Sequence, residues 1–181
     1  MSVIKRICYF IVFFIFCNSA KASDNLNSLF DELYYAKNLI QAEKIEDKIW
    51  KNWTKHPKND FLTSKLENGT YSMYNQQYRV ALKLFTDVIN EDPKWAEGWN
   101  KRATLLFIIG NYEKSLDDIE KVLDLEPRHF GALSGRAQIY LSFKQYEKAI
   151  NDLEKAQSIY PLIKSGKNIK LIEKIIKDQQ I

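Results

Sequence analysis

Gly110-Asn111-Tyr112-Glu113-Lys114-Ser115 returns 34 residues later as Lys144-Gln145-Tyr146-Glu147-Lys148-Ala149. Around this phrase the same interval recurs column by column: Tyr78, Tyr112 and Tyr146; Pro93, Pro127 and Pro161; Val88-Ile89 as Val122-Leu123; Gly69 as Ala103 and Ala137. Self-similarity at such a fixed period marks an array of stacked supersecondary units. Proline lacks an amide hydrogen and cannot continue a helix, so each of the three prolines closes a unit. Small residues such as Ala81 and Ala103 let two helices approach, while Tyr112 and Ile119 fill the space from the other side. A single hairpin of this kind is half buried, and stacking on its neighbours supplies the core.

The period and these columns resemble the tetratricopeptide repeat family, whose unit is a helix–turn–helix of 34 residues. Its small residue on the first helix is met by Gly69, Ala103 and Ala137, and its terminal proline by Pro93, Pro127 and Pro161. Its small-then-aromatic pair on the second helix is met by Ala81 with Phe85, Ser115 with Ile119, and Ala149 with Leu153. Trp99 fits the family's tryptophan, whereas Lys65 and Leu133 hold the matching places. Where the family has leucine before the small residue, this chain has Asn68, Arg102 and Arg136. The resemblance covers residues 59–163 and implies an all-α, right-handed α-solenoid of three tandem hairpins, at about 61–94, 95–128 and 129–162. Phrases such as Glu97-Gly98-Trp99-Asn100-Lys101-Arg102-Ala103 and Arg128-His129-Phe130-Gly131-Ala132-Leu133 are similar to exported alphaproteobacterial members of undefined role.

The flanks read as caps. Leu26, Leu29, Phe30 and Leu33, then Leu39, Ala42, Ile45, Ile49 and Trp53, have helical spacing and predict an N-terminal helical hairpin over residues 23–58. Ile169, Ile172, Ile175 and Ile176 form one stripe of a C-terminal capping helix over residues 164–181. Lys164, Lys167, Lys170, Lys174 and Lys177 solvate the rest of it, and would also suit weak contact with an anionic membrane surface.

The first 22 residues carry a different signal. Lys5 and Arg6, the apolar run from Ile7 to Cys17, and Ala20-Lys21-Ala22 are the three regions of a secretory signal peptide, with the cut expected after Ala22. A retained anchor and a lipoprotein at Cys17 are the lesser readings. The cut would remove both cysteines, Cys8 and Cys17, and leave 24 basic against 23 acidic residues. A thiol-free exported chain with a Lys-, Ile- and Asn-rich composition points to the bacterial periplasm. The near-neutral total hides a gradient: residues 61–127 carry 8 basic and 11 acidic groups, and residues 128–181 carry 10 and 5.

The residues offer little chemistry. His56 and His129 stand alone, without further ligands at metal-binding spacing, and His129 reads as a surface residue at a helix start. Asp117-Asp118 reads as a solvated or ion-paired acidic pair, and Gly131-Ala132-Leu133-Ser134-Gly135 is not a phosphate loop. No catalytic, cofactor or metal site is expected, and a charge this small demands no nucleic acid. Arg102 and Arg136 each have an aspartate sixteen residues on, Asp118 and Asp152, which predicts an ion pair inside each hairpin.

In the family that the chain resembles, the first helices line a concave groove for a peptide. Carried over, the groove columns are Thr63, Leu66, Thr70 and Met73, then Glu97, Asn100, Thr104 and Phe107, then Gly131, Ser134, Gln138 and Leu141. Met73, Phe107 and Leu141 would form an apolar track. Gly131 and Gly135 reserve space for close backbone packing or for a partner chain, at about 1 kcal/mol each against alanine. The lysine–asparagine clamp that some relatives use for a terminal carboxylate is incomplete, because Lys101 and Asn100 are followed one repeat on by Gly135 and Ser134. The expectation is a monomeric, non-catalytic scaffold for a protein or peptide partner, with a fixed envelope-complex subunit and a peripheral membrane protein as rivals.

Overall fold

The computed structural model describes residues 25–179, all helices and connections. The expected signal segment, with its cut after Ala22 and both cysteines, lies outside the described residues. Helix α1 covers residues 25–34. It is followed by α2 (Leu39–Thr54), α3 (Asp60–Tyr74), α4 (Tyr78–Glu91), α5 (Ala96–Ile108), α6 (Tyr112–Leu125), α7 (Phe130–Ser142) and α8 (Tyr146–Ile159). A 3-10 turn (Lys164–Asn168) leads into α9 (Ile169–Gln179).

Local chemistry sets the boundaries. Asn38 and Asn59 cap α2 and α3 by accepting backbone amides with their side chains. Inside each repeat the first helix ends in the same turn. Its last carbonyls accept from residues 76–77, 110–111 and 144–145, in bonds such as Gln77 N to Ser72 O at 2.9 Å and Asn111 N to Leu106 O at 2.8 Å. That pattern needs one left-handed residue after the helix. Gly110 supplies it with φ 78°, while Gln76 and Lys144 adopt φ 58° and 57° despite their Cβ atoms.

α3–α4, α5–α6 and α7–α8 form three hairpins, and α4 packs on α5 as α6 packs on α7. Gly69 lets α4 come close: a Cβ there would stand 2.6 Å from the Phe85 ring. Arg102 Nε and Nη2 donate to the two Asp118 carboxylate oxygens at 2.8 Å each, and Nη1 reaches Thr86 Oγ1 on α4 at 3.3 Å. Arg136 holds Asp152 in the same fork at 2.7 and 2.8 Å. Asp118 and Asp152 are both buried, and the Asp152 hydrogen bond raises the Arg136 guanidinium above its already high value against burial. These forks stand where the first repeat has Asn68 and Leu84.

The C-terminal flank caps as expected, with Ile172 buried and Ile169 and Ile176 half buried against the last repeat. The N-terminal flank does not cap the first repeat. Its apolar residues Leu29, Phe30, Leu33, Ile45, Ile49 and Trp53 join Phe130, Leu133, Ala156 and Tyr160 of the third repeat in one core. The outer edge of α3 is consequently left with Phe61, Tyr71 and Tyr74 at 65%, 71% and 79% exposure. One and two repeats on, the Phe61 column holds Trp95 and His129, and the Tyr71 column holds Leu105 and Ile139, all buried.

Candidate partner-binding face

The first helices α3, α5 and α7 line one side of the array, α5 touching both of the others. The N-terminal hairpin lies across this side. α2 packs on α5, and its two tryptophans close around the start of α7. Trp53 stacks on His129 with ring centroids 4.1 Å apart and planes 9° from parallel. Trp50 meets His129 and Phe130 edge-on at 5.4 and 5.8 Å. Gly131 makes room for it, since a Cβ there would stand 2.7 Å from Trp50 Cη2. At the rim Arg128 lies over the Phe30 ring at 4.1 Å and donates to Asn27 Oδ1 at 2.9 Å.

Beneath the hairpin sits a buried polar cluster. His129 Nδ1 accepts the Ala132 amide at 3.0 Å, so Nε2 carries the proton and donates to Glu97 Oε2 at 3.3 Å. Asn100 donates to both Glu97 oxygens at 3.1–3.2 Å, and Lys101 Nζ is 3.2 Å from Oε1. Burial pushes the Glu97 carboxyl up. The His129 hydrogen bond, the Lys101 charge and Asn100 outweigh it and hold the group below the usual carboxylate range. His129 is therefore no surface residue: it is fully buried, capping α7 and bridging to α5.

The structure sorts the expected groove columns. Leu66 and Met73 belong to the core of the first repeat. Thr63 accepts the His56 amide at 2.9 Å, and Thr70 bonds the Leu66 carbonyl at 2.9 Å. Glu97 and Asn100 are consumed by the buried cluster, Gly131 lies under Trp50, and Ser134 Oγ pairs with Ser165 Oγ at 2.9 Å. The continuous groove and the Met73–Phe107–Leu141 track are thus not formed. Aromatic rings from the chain's own hairpin take the space near the starts of α5 and α7, and Met73 turns inward. Farther along, Thr104 and Gln138 are exposed, and Phe107 and Leu141 are half exposed.

Between α5 and α7 one cleft of about 120 Å³ stays open. Thr104, Phe107, Gly135 and Gln138 form its mouth, with Ser115 and Ile119 of α6 beneath. Nothing lies within 4 Å of where a Gly135 Cβ would stand, so the helix flank is bare. The two glycines of α7 both line the cleft but differ in what they face: Trp50 abuts Gly131, and nothing lies beside Gly135. Among the described residues no group of three or more His, Cys, Asp or Glu is placed to hold a metal ion. No described helix is long and apolar enough to cross a membrane.

Residues 100–162 match the tetratricopeptide repeat family model. These are tetratricopeptide repeats. A TPR repeat-containing protein of Rhizobium etli is 34% identical over 113 residues, which span 62% of this chain and 55% of that protein. Hsp70-Hsp90 organizing protein 1 of Glycine max is 30% identical over 91 residues, 50% of this chain and 16% of that protein. The matching stretch is thus about half or less of the length of these curated relatives. The first TPR domain of Spaghetti (RPAP3), solved bound to the HSP90 peptide SRMEEVD, superposes with a TM-score of 0.61. It covers 64% of this chain and 93% of its own at 19% identity, a likeness of fold.

Proposed function

We propose that this chain is a non-catalytic protein-interaction module that seats a short segment of a partner protein in the cleft between α5 and α7. The observation that carries the reading is Gly135. It stands inside a helix, where glycine costs about 1 kcal/mol against alanine, and it leaves the cleft wall bare. The cleft is smaller than the cavity of about 150 Å³ that accepts benzene, a scale suited to one aliphatic side chain. Phe107 and Ile119 offer apolar walls, and Thr104 and Gln138 offer hydrogen bonds at the mouth. Relatives of the same fold include a peptide-bound domain. Capture of a terminal carboxylate is not part of the proposal, because Lys101 and Asn100 are both engaged by Glu97. A pull-down with Gly135→Leu tests it: the helix is kept, the cleft is filled, and a partner retained at wild-type level would refute the reading.

The exposed α3 edge favours a second reading, a fixed subunit of a larger assembly joined end-on at Phe61, Tyr71 and Tyr74. Phe61→Glu with Tyr71→Glu would then release the chain from its complex while Gly135→Leu would not. The sequence also supports export to the periplasm, which N-terminal sequencing from the cell envelope tests: the mature chain should begin at Ser23.

A further inference from the structure

A larger opening, about 670 Å³, lies where α1 and the end of α2 meet the start of α5. It shares no lining residue with the α5–α7 cleft. Leu26, Leu29, Trp53 and Trp95 give it an apolar floor. Lys48 and Lys51, three residues apart on α2, and Lys55 just beyond its end put three ammonium groups along one rim. Lys65, Lys83, Lys101 and Lys164 each have a carboxylate partner, but these three have none among the described residues. Asp47, one turn before Lys51 on α2, offsets part of this charge, and the other acidic groups nearby do not. Glu97 is held by Lys101 and His129, Asp92 faces His56 Nε2 at 2.8 Å, and Glu32 alone stands on the opposite wall.

We propose that this cleft is a second binding site, for an acidic peptide segment carrying a bulky apolar side chain. The apolar residue seats on the tryptophan floor, and the flanking carboxylates meet Lys48, Lys51 and Lys55. The volume falls in the range of about 300–1,000 Å³ typical of ligand clefts, and junctions between structural units are where such clefts concentrate. Exposed ammonium groups are screened by salt, so the charge contribution weakens as ionic strength rises, while apolar seating fixes the register.

The probe is a capped synthetic peptide with one leucine flanked by aspartates and glutamates, titrated into the full-length chain. Tryptophan fluorescence reports the floor and anisotropy of the labelled peptide reports binding. Saturable binding is expected, with a salt-dependent affinity and a change in tryptophan emission. Lys48→Glu with Lys51→Glu should weaken it about tenfold or more, as should replacing the peptide's leucine by serine. Lys155→Glu with Lys174→Glu makes the same charge change on α8 and α9 and should leave binding within about twofold. Gly135→Leu should have no effect, which separates this site from the α5–α7 cleft. Equal losses in the two charge variants, indifference to the leucine, or no saturable binding would each overturn the proposal.

Discussion

Gly131 and Gly135 sit one helical turn apart on α7, and the structure gives their alanine variants opposite signs. At Gly135 a methyl group meets nothing within 4 Å, and the backbone is not left-handed. Gly135→Ala should therefore return most of the helix-propensity difference, a gain of about 0.5–1 kcal/mol. For a chain of this length that is a rise of roughly 2–3 °C in Tm. At Gly131 the same methyl would stand 2.7 and 2.9 Å from Trp50 Cη2 and Cζ2. Trp50 is not free to yield: it abuts Trp53, His129 and Phe130, and its Nε1 donates to Glu46 at 3.2 Å. Overpacking of this kind costs about 1–3 kcal/mol, and a first-turn position recovers little propensity. A net loss of about 1 kcal/mol follows for Gly131→Ala. Urea denaturation of both variants, repeated in a Trp50→Ala background, is the assay. In that background Gly131→Ala should turn neutral or stabilising. If Gly131→Ala stabilises the otherwise wild-type chain as Gly135→Ala does, Trp50 is not seated on α7.

Three further outcomes are expected. Lys144→Gly and Gln76→Gly relieve left-handed backbone at non-glycine residues and should each stabilise by about 1 kcal/mol, with Gly110→Ala losing a similar amount; thermal melts decide. Asp118→Ala strands Arg102, whose side chain keeps about a fifth of its surface exposed. It should cost about 2 kcal/mol, below the range for fully buried pairs, whereas Arg102→Asn with Asp118→Leu, which copies the first repeat, should lose less than the single change. Glu97 is held below the usual carboxylate range, despite burial, by His129, Lys101 and Asn100. The stabilisation is complete above the unfolded value and is lost as pH falls through the lower folded one. Denaturation between about pH 6 and about pH 3 should therefore show a steeper loss for the wild type than for Glu97→Gln.

The repeats were legible because each depends on contacts local in sequence: the proline closing a hairpin, the small residue at the crossing, the arginine and aspartate sixteen positions apart. The groove was legible only as a set of columns. Which columns stay open depends on where the N-terminal hairpin docks, and that contact joins Trp50 and Trp53 to His129 and Phe130 across more than seventy residues. Two hints were present. The hairpin falls outside the 34-residue register, and Gly131 follows a histidine–phenylalanine pair at a helix start, where an incoming ring can fit. Neither fixes a docking site by itself, because apolar periodicity says which face of a helix is buried and not what buries it. His129 shows the same limit: one polar residue at a helix start, read as exposed, is fully buried once a tryptophan stacks on it.

Occupancy of the α5–α7 cleft by a partner is tested most directly by site-specific photo-crosslinking with a benzophenone amino acid at position 107, on the cleft wall, in cells that make the protein. One discrete partner adduct is expected, and it should disappear when Gly135→Leu fills the cleft. An adduct that persists unchanged in the filled variant would contradict occupancy of the cleft.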